Sequence, residues 1–239
     1  QVFYSLSLAM GIMITYGSYL TRKESLTTSV GWIAGSDIVV SILAGAMIVP
    51  AAFIASGSAD AVAAKAGPSL MFVTLPLLFQ QMGPMANVIG FVFFVLVLFA
   101  ALTSSISLAE TVVSIIADGF HLSRKRALGW MLAYVMLAGI FVNAGYNVLS
   151  FIQPLGPGST LLDTFDFMSN SVLMPIVALL SVLMIGWAVK PKVIIEEIKH
   201  SSEFKLERVW VFLIKYVAPI LLVIIFVAYV GAQFGLITM

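Results

Sequence analysis

The chain has 239 residues, of which 61% are hydrophobic and only 10% are charged. A soluble globular domain carries about 25% charged residues, so this composition excludes a single soluble core and indicates a protein whose solvent is lipid. The formal net charge of +1 provides no basic field for nucleic acid, and the absence of Cys excludes disulfides and Cys-ligated metals.

Six apolar stretches are long enough to cross a bilayer, whose core of about 30 Å needs roughly 20 helical residues. The first begins at Gln1, inside an apolar stretch, so we expect an upstream part of the protein to be missing. The predicted spans cover residues 1–19, 30–55, 84–117, 127–142, 164–189 and 209–235. Residues 58–82 predict an outer helical hairpin, and residues 193–208 an amphipathic segment on the cytoplasmic interface. Together these elements predict one multi-pass transmembrane domain over 1–239.

The basic residues predict the orientation of these spans. Ten of the twelve Lys and Arg lie in the loops after spans one, three and five. Those loops share one side if every span crosses once, and the excess of positive charge makes that side cytoplasmic. We therefore expect a plasma-membrane protein, and a bacterial inner membrane as its site.

Residues 5–11, SLSLAMG, place two serines and a glycine in the middle of the first span. Serine competes for backbone hydrogen bonds and glycine weakens a helix, so a break here would free carbonyls for a cation and amides for an anion. Irregular backbone at membrane depth occurs where it lines a cavity. The alternative is that these small residues only allow close helix packing.

A run of hydroxyls lies in the third span, at Thr103, Ser104, Ser105 and Ser107. Hydroxyl oxygens with a spare carbonyl suit a hard monovalent cation such as Na⁺. The alternative is that each hydroxyl bonds back to the preceding helical turn.

Two carboxylates, Asp37 and Glu110, lie within predicted spans, where charged groups are costly and mark ion or proton pathways. Asp118, Asp163 and Asp166 lie at span ends, where a solvated helix-end charge is the alternative to a functional role.

The order of motifs resembles the neurotransmitter:sodium symporter family. The motifs are QVFYSLSLAMGIMITYGSY (1–19), PAA (50–52), AAKAG (63–67), LTSS (102–105), LSRK (122–125) and LDTFDF (162–167). The resemblance implies an all-α membrane fold: the second inverted repeat, helices 6–10 of a five-plus-five transporter, followed by helix 11. The N-terminal repeat, which supplies half of every site, is then missing, so we expect no transport from this chain alone.

The resemblance also implies site residues. Tyr4, Ser7, Met10, Ser104 and Leu108 match substrate-pocket positions, with Tyr4, Met10 and Leu108 as an apolar wall suited to a hydrophobic amino acid.

Two sodium sites follow from the same resemblance. The Ala100 carbonyl with the Thr103 and Ser104 hydroxyls matches one of them, and Ser5 with Ser36 matches the other.

Chloride independence is a further implication. Chloride-dependent relatives bind chloride with a Ser at a position that is Val40 here, and Asp37, three residues earlier, would supply the negative charge itself.

Gate residues complete the set. Asp166 matches the acidic member of the outer gate, Asp118 with Ser18 and Tyr19 matches the inner gate, and Glu110 belongs to the same inner network.

The function implied is sodium:amino-acid symport by alternating access, with Na⁺ as the coupling ion, no other cofactor and no catalytic residues. The partners are the amino acid, sodium, the bilayer and the missing repeat, with no nucleic acid. The alternatives are a proton-coupled transporter with Asp37 and Glu110 as a relay, and a membrane sensor that binds an amino acid without moving it.

Overall fold

The computed structural model describes residues 2–21, 24–58, 70–201, 204 and 206–235, which form helices and turns and contain no strand. Several residues used in the sequence predictions lie outside this description. They are Gln1, Arg22, Lys23, Lys65, Lys205 and residues 59–69 of the predicted outer hairpin.

The first predicted span is a broken helix. Helix α1 covers Val2–Ser5, a 3-10 turn follows at Leu8–Met10, and α2 covers Ile12–Tyr19. Ser7 and Gly11, on either side of the 3-10 turn, have φ of 50° and 80°, and this left-handed backbone cannot continue a right-handed helix. The small residues at 5–11 therefore interrupt the helix and do not form a continuous packing face.

Five helices are long and apolar enough to cross a membrane, by length and composition. Between 0% and 22% of the most apolar stretch of each is buried inside the described protein, so most of this surface is left for lipid or other protein. The helices that follow α2 are α3 Leu26–Ser56, α4 Leu70–Gln80, α5 Ala86–Gly119, α6 Arg124–Ala144, α7 Leu161–Ala188, α8 Pro191–Ser201 and α9 Glu207–Gln233.

Helix α7 begins at Leu161 because Thr160 caps it. The Thr160 hydroxyl accepts from the Asp163 amide at 3.2 Å, and the Asp163 carboxylate accepts from the Thr160 amide at 2.7 Å. This reciprocal pair is a capping box. Asp163 is therefore a helix-capping residue.

Three interior prolines share one structural context. Pro76, Pro175 and Pro219 each lie two residues after a π-helical turn, at Leu70–Thr74, Phe167–Leu173 and Leu213–Val217. Proline removes a backbone donor and its ring clashes with the carbonyl four residues earlier. The wider π turn gives that carbonyl room, so these helices pass their prolines without ending.

The chain divides into two compact units, and the first contains Gln1–Leu6 and Gly31–Ser107. In this unit α4 packs on the first part of α5 through aromatic rings. The centroids of Phe79 and Phe93 are 5.3 Å apart, and those of Phe72 and Phe94 are 6.0 Å apart.

The second unit contains Ser7–Val30 and Leu108–Met239. Its core joins the end of α5 to α6 through Val113, Ala127 and Met131. Gly145, just after α6, packs closely against the start of α7, because a Cβ at this position would lie 2.8 Å from the Leu161 Cβ. Helix α7 in turn packs along α9.

Candidate functional site: a broken helix, a hydroxyl run and an inner polar network

The break in the first helix interrupts its regular α-helical hydrogen bonds with a 3-10 turn. The Met10 amide donates to the Ser7 carbonyl at 3.1 Å, and the Thr15 amide donates to the Gly11 carbonyl at 3.0 Å as α2 begins. Ser7 is one of three non-glycine residues with positive φ in the described chain, and such strain persists where the surrounding structure enforces it, often at binding sites. This segment offers short runs of amides and carbonyls of the kind that hold charged ligands in membranes.

Gly11 lies against α5 within the second unit. A Cβ at Gly11 would be 3.3 Å from Cγ2 of Thr111. Thr111 is buried, with only 2% of its surface exposed. Leu108 lies one turn before Thr111 on the same helix. The 3-10 turn that carries Met10 also packs against the Met174–Leu183 part of α7. Two predicted pocket residues, Met10 and Leu108, therefore lie on elements that meet around Thr111 and α7.

Ser5 and Asp37 come together within the first unit. The Ser5 hydroxyl, at the end of α1, donates to the Asp37 carboxylate at 2.7 Å. Ser36 is exposed, and its hydroxyl makes no hydrogen bond within the described residues. The structure thus places a carboxylate, and not Ser36, directly against Ser5.

The hydroxyls of α5 mostly bond back along their own helix. Thr103 donates to the carbonyls of Phe99 and Ala100, both at 3.0 Å, while Ser107 donates to the Thr103 carbonyl at 2.9 Å. Ser105 makes the same kind of bond, at 2.8 Å. Within the described residues, the Ser104 hydroxyl makes no hydrogen bond.

Back-bonding does not remove these groups as cation ligands. A hydroxyl that donates its hydrogen keeps its oxygen lone pairs, so the oxygens of Thr103 and Ser107 can still face a cation. Thr103 and the Ala100 carbonyl are held together by their mutual bond, so two oxygens of the predicted sodium site are already adjacent.

An inner polar network joins α2, α5 and α6 within the second unit. The Tyr19 hydroxyl donates to the Glu110 carboxylate at 2.6 Å and lies 3.2 Å from the Ser114 hydroxyl. Arg124, at the start of α6, forms a salt bridge with Glu110. The Glu110 side chain is 21% exposed. The network therefore compensates an acid that α5 carries within an apolar span.

A cavity of about 480 Å³ adjoins this network. Ser18, Tyr19, Asp118 and Arg124 line it together with residues of α2 and α5. The Ser18 hydroxyl itself donates to the Thr15 carbonyl at 2.6 Å. The structure thus brings together four predicted inner-gate residues: Ser18, Tyr19 and Asp118 around the cavity, and Glu110 beside it.

Two members of this network, Arg124 and Ser114, are not among the predicted site residues. Ser114 could have been found, because it lies four residues after Glu110 on the same helix face. Arg124 follows Glu110 by fourteen positions across the end of α5. Only the turn between α5 and α6 brings the two together.

Tyr4 and Asp166 lie in α1 and α7, respectively. Tyr4 is partly buried in α1. The Asp166 carboxylate accepts a hydrogen bond from the Asn170 amide, one turn later on α7, at 2.7 Å. The role of Asp166 as an outer gate stays a prediction.

Comparison with known proteins identifies the family. The family model for the sodium:neurotransmitter symporter family matches residues 1–235. The chain belongs to the sodium:neurotransmitter symporter family. The predictions of this family and of an all-α membrane fold are therefore confirmed, and the family consists of transporters and not of enzymes.

Individual relatives agree with this assignment. The sodium-dependent transporter YhdH of Bacillus subtilis is 33% identical over 234 residues, which are 97% of this chain and 50% of YhdH. A sodium-dependent transporter of Methanocaldococcus jannaschii is 33% identical over 226 residues, 93% of this chain and 44% of the relative.

A solved structure shares the fold. The crystal structure of MhsT in complex with L-phenylalanine matches with a TM-score of 0.82 and 33% identity, over 94% of this chain and 49% of that chain. This chain therefore spans about half the length of the relatives it matches.

Proposed function

We propose that the full-length protein is a sodium-coupled amino-acid symporter that works by alternating access in a plasma membrane, which we place in a bacterial inner membrane. The observation that carries the proposal is the helix break at residues 5–11, in a chain of the sodium:neurotransmitter symporter family. In this class of protein, broken helices at the bilayer midplane supply the backbone groups that bind substrate and ions.

The first sodium site is assigned to the Ala100 carbonyl and the hydroxyls of Thr103 and Ser104. Hard oxygen ligands suit an alkali cation, and the adjacency of Thr103 to the Ala100 carbonyl supports this set. The back-bond from Thr103 fixes its oxygen before an ion arrives, which lowers the entropic cost of binding. The remaining ligands are expected from the part of the transporter outside these 239 residues.

The second sodium site is assigned to Ser5 and Ser36, with Asp37 beside them. The 2.7 Å hydrogen bond from Ser5 to Asp37 supports the idea that a fixed carboxylate provides the negative charge here. A permanent anion in the protein removes the need for a bound chloride, so the proposed transport is chloride-independent.

The substrate pocket is assigned to Tyr4, Ser7, Met10, Ser104 and Leu108. Three of these side chains are apolar or aromatic, and Met adapts to irregular shapes because it is unbranched and flexible. MhsT, with which this chain shares 33% identity, was solved in complex with L-phenylalanine. A hydrophobic amino acid is therefore the proposed substrate class.

Alternating access follows from differential binding. A ligand shifts a conformational equilibrium only by its difference in affinity for the two states. In the proposed cycle, sodium favours the outward-open state, and substrate then closes the outer gate, to which Asp166 contributes. The network around Glu110, with Ser18, Tyr19 and Asp118, holds the inner side closed until sodium is released.

Uptake into proteoliposomes by the full-length protein tests this proposal. Removal of Na⁺ should abolish accumulation of a labelled hydrophobic amino acid, and the variant Thr103→Ala/Ser104→Ala should require about tenfold more Na⁺ for half-maximal uptake, equivalent to ~1.4 kcal/mol. The matched control is Ser105→Ala, which removes a neighbouring hydroxyl that bonds back to Leu102.

Each alternative gives a different result in the same assay. Uptake that persists without Na⁺ and follows a proton gradient would indicate a proton-coupled transporter. Binding without counterflow of labelled against unlabelled substrate would indicate a sensor. Either result would overturn the proposed symport.

A further inference from the structure

A lysine-lined pocket lies where α7, α8 and α9 meet, within the second unit and apart from the proposed transport site. Its volume is about 390 Å³. Lys190, Lys192 and Lys215 line it, together with Trp187 and a single carboxylate, Glu207.

Positive charge in this pocket exceeds the negative charge that faces it. Glu207 is already engaged by Lys199 at 2.5 Å, and Lys192 has only a loose partner, Glu196, at 3.8 Å on the surface of α8. In the part of the chain that the structure describes, no carboxylate lies within 4.0 Å of Lys190 or Lys215.

Lys215 is unusual because it lies inside the apolar span of α9. It lies eight positions after Glu207, the first residue of α9, which is roughly 12 Å along the helix. Lys215 is half-buried. Its Nζ lies 5.9 Å from the centre of the Trp187 ring, a cation–π contact. A lone ammonium at this depth is costly unless it extends to the interface and meets an anion.

Lys190 occupies a strained position. It follows α7 with φ of 70°, where glycine is the usual residue because a Cβ is disfavoured in the left-handed region. A lysine at this point is less favourable for the backbone than glycine, which makes its side chain a candidate for function.

Aromatic rings place the pocket at the membrane–water boundary. The Trp187 and Tyr216 rings are 6.2 Å apart, and those of Tyr216 and Phe212 are 5.7 Å apart. Trp and Tyr concentrate at this boundary, since their rings are amphipathic. Next to this aromatic cluster, Leu213 and Met184 present exposed apolar surface on α9 and α7.

The geometry points to a binding site for an anionic phospholipid. Lys190 and Lys215 would hold the phosphate of the headgroup, with Lys192 at the rim. Its acyl chains would lie along the exposed apolar sides of α7 and α9. Basic pockets between transmembrane helices on the cytoplasmic side recognise such headgroups, and the predicted orientation places this pocket on that side. The site does not depend on which solute is transported.

Lipid titration of the delipidated full-length protein, followed by native mass spectrometry, tests the site. The wild type should bind phosphatidylglycerol at least about tenfold more tightly than phosphatidylcholine. Each lysine near an anionic surface contributes about fivefold, so Lys190→Gln/Lys215→Gln should weaken phosphatidylglycerol binding roughly 25-fold and leave phosphatidylcholine unchanged.

The matched control is Lys125→Gln/Arg126→Gln, which removes two cations from the first turn of α6 and should leave binding unchanged. Lys190→Gly separates binding from stability: it should weaken phosphatidylglycerol binding about fivefold without lowering the lipid-free Tm.

Three results would overturn the inference. They are no preference for phosphatidylglycerol, an equal loss in the control variant, and displacement of the lipid by millimolar inorganic phosphate. The last result would identify a site for free phosphate and not for lipid.

Discussion

Ser5 and Asp37 show how a single contact at the residue scale bears on ion coupling. One side chain comes from the end of α1 and the other from α3, and a 2.7 Å hydrogen bond joins them. The carboxylate lies within an apolar span, where a charge needs a partner or a cavity. Its proposed role is to supply the negative charge that chloride would otherwise provide.

Asp37→Ser should convert chloride-independent uptake into chloride-stimulated uptake, because removal of the carboxylate leaves a deficit of negative charge that a bound anion can restore. Uptake by the full-length protein should be measured in sodium chloride and in sodium gluconate. Ser41→Ala on the same helix should keep the wild-type response. Undiminished chloride-free uptake by Asp37→Ser would contradict the assignment.

Glu110 is the centre of the inner network, with Tyr19 and Arg124 as its partners. Glu110→Gln should loosen the inner side, since a neutral amide keeps the shape but loses the ionic bond to Arg124. A cysteine at Ser18, which lines the adjacent cavity, should then react several-fold faster with a maleimide applied from the inside.

These 239 residues contain no Cys, so once any Cys in the rest of the full-length protein is replaced, Ser18→Cys supplies the one reactive thiol. The control is Glu196→Gln, which removes a surface pair with Lys192 on α8 and should leave Ser18→Cys labelling unchanged. Equal acceleration in both variants would show that loss of charge alone, and not this network, governs access.

At the scale of elements, the break in the first helix depends on two residues with left-handed backbone, Ser7 and Gly11. Gly11 is constrained twice: a Cβ would be disfavoured at φ of 80° and would approach Thr111 to 3.3 Å. The break is therefore fixed both by its own backbone and by its packing on α5.

Gly11→Ala should destabilise the full-length protein by roughly 1–3 kcal/mol, because it adds backbone strain and crowds Thr111. Gly17→Ala is the matched control, since Gly17 is exposed inside α2 with nothing within 4 Å of a new Cβ, and it should be neutral or stabilising by up to ~1 kcal/mol. Thermal unfolding followed by tryptophan fluorescence measures both. Equal effects of the two substitutions would contradict the special status of Gly11.

The π turns belong to the same scale. Pro175 and Pro219 fall inside spans that stay helical because each proline follows a π turn. Tolerance of proline in membrane helices is expected in general, but the π turns that accommodate these prolines are seen only in the backbone of the structure.

For the whole molecule, orientation in the membrane is the feature that the charge pattern predicts. Helix α6 has 21 residues and a basic start at Arg124, and at 1.5 Å per residue it spans about 30 Å, the thickness of a bilayer core. Its two ends should therefore face opposite sides of the membrane.

Cysteines at Lys125, in the first turn of α6, and at Asn147, just after its end, should react from opposite sides. An impermeant maleimide added to intact cells should label Asn147→Cys and spare Lys125→Cys, and cell lysis should expose the second. Both residues are exposed in the structure, so accessibility within the protein does not limit the reaction. Labelling of both from outside would refute the predicted orientation.

The sequence by itself determined the all-α membrane class and the family, because these depend on local composition, on apolar length and on motifs in order. Glu110 stood out as an acid within an apolar span, and the family resemblance implied the gate residues Ser18, Tyr19 and Asp118. Only the tertiary structure decided which of them meet: Arg124 with Glu110, Ser5 with Asp37, Gly11 with Thr111. Such pairs join residues from different helices, and helical periodicity fixes neighbours within a helix but not across helices.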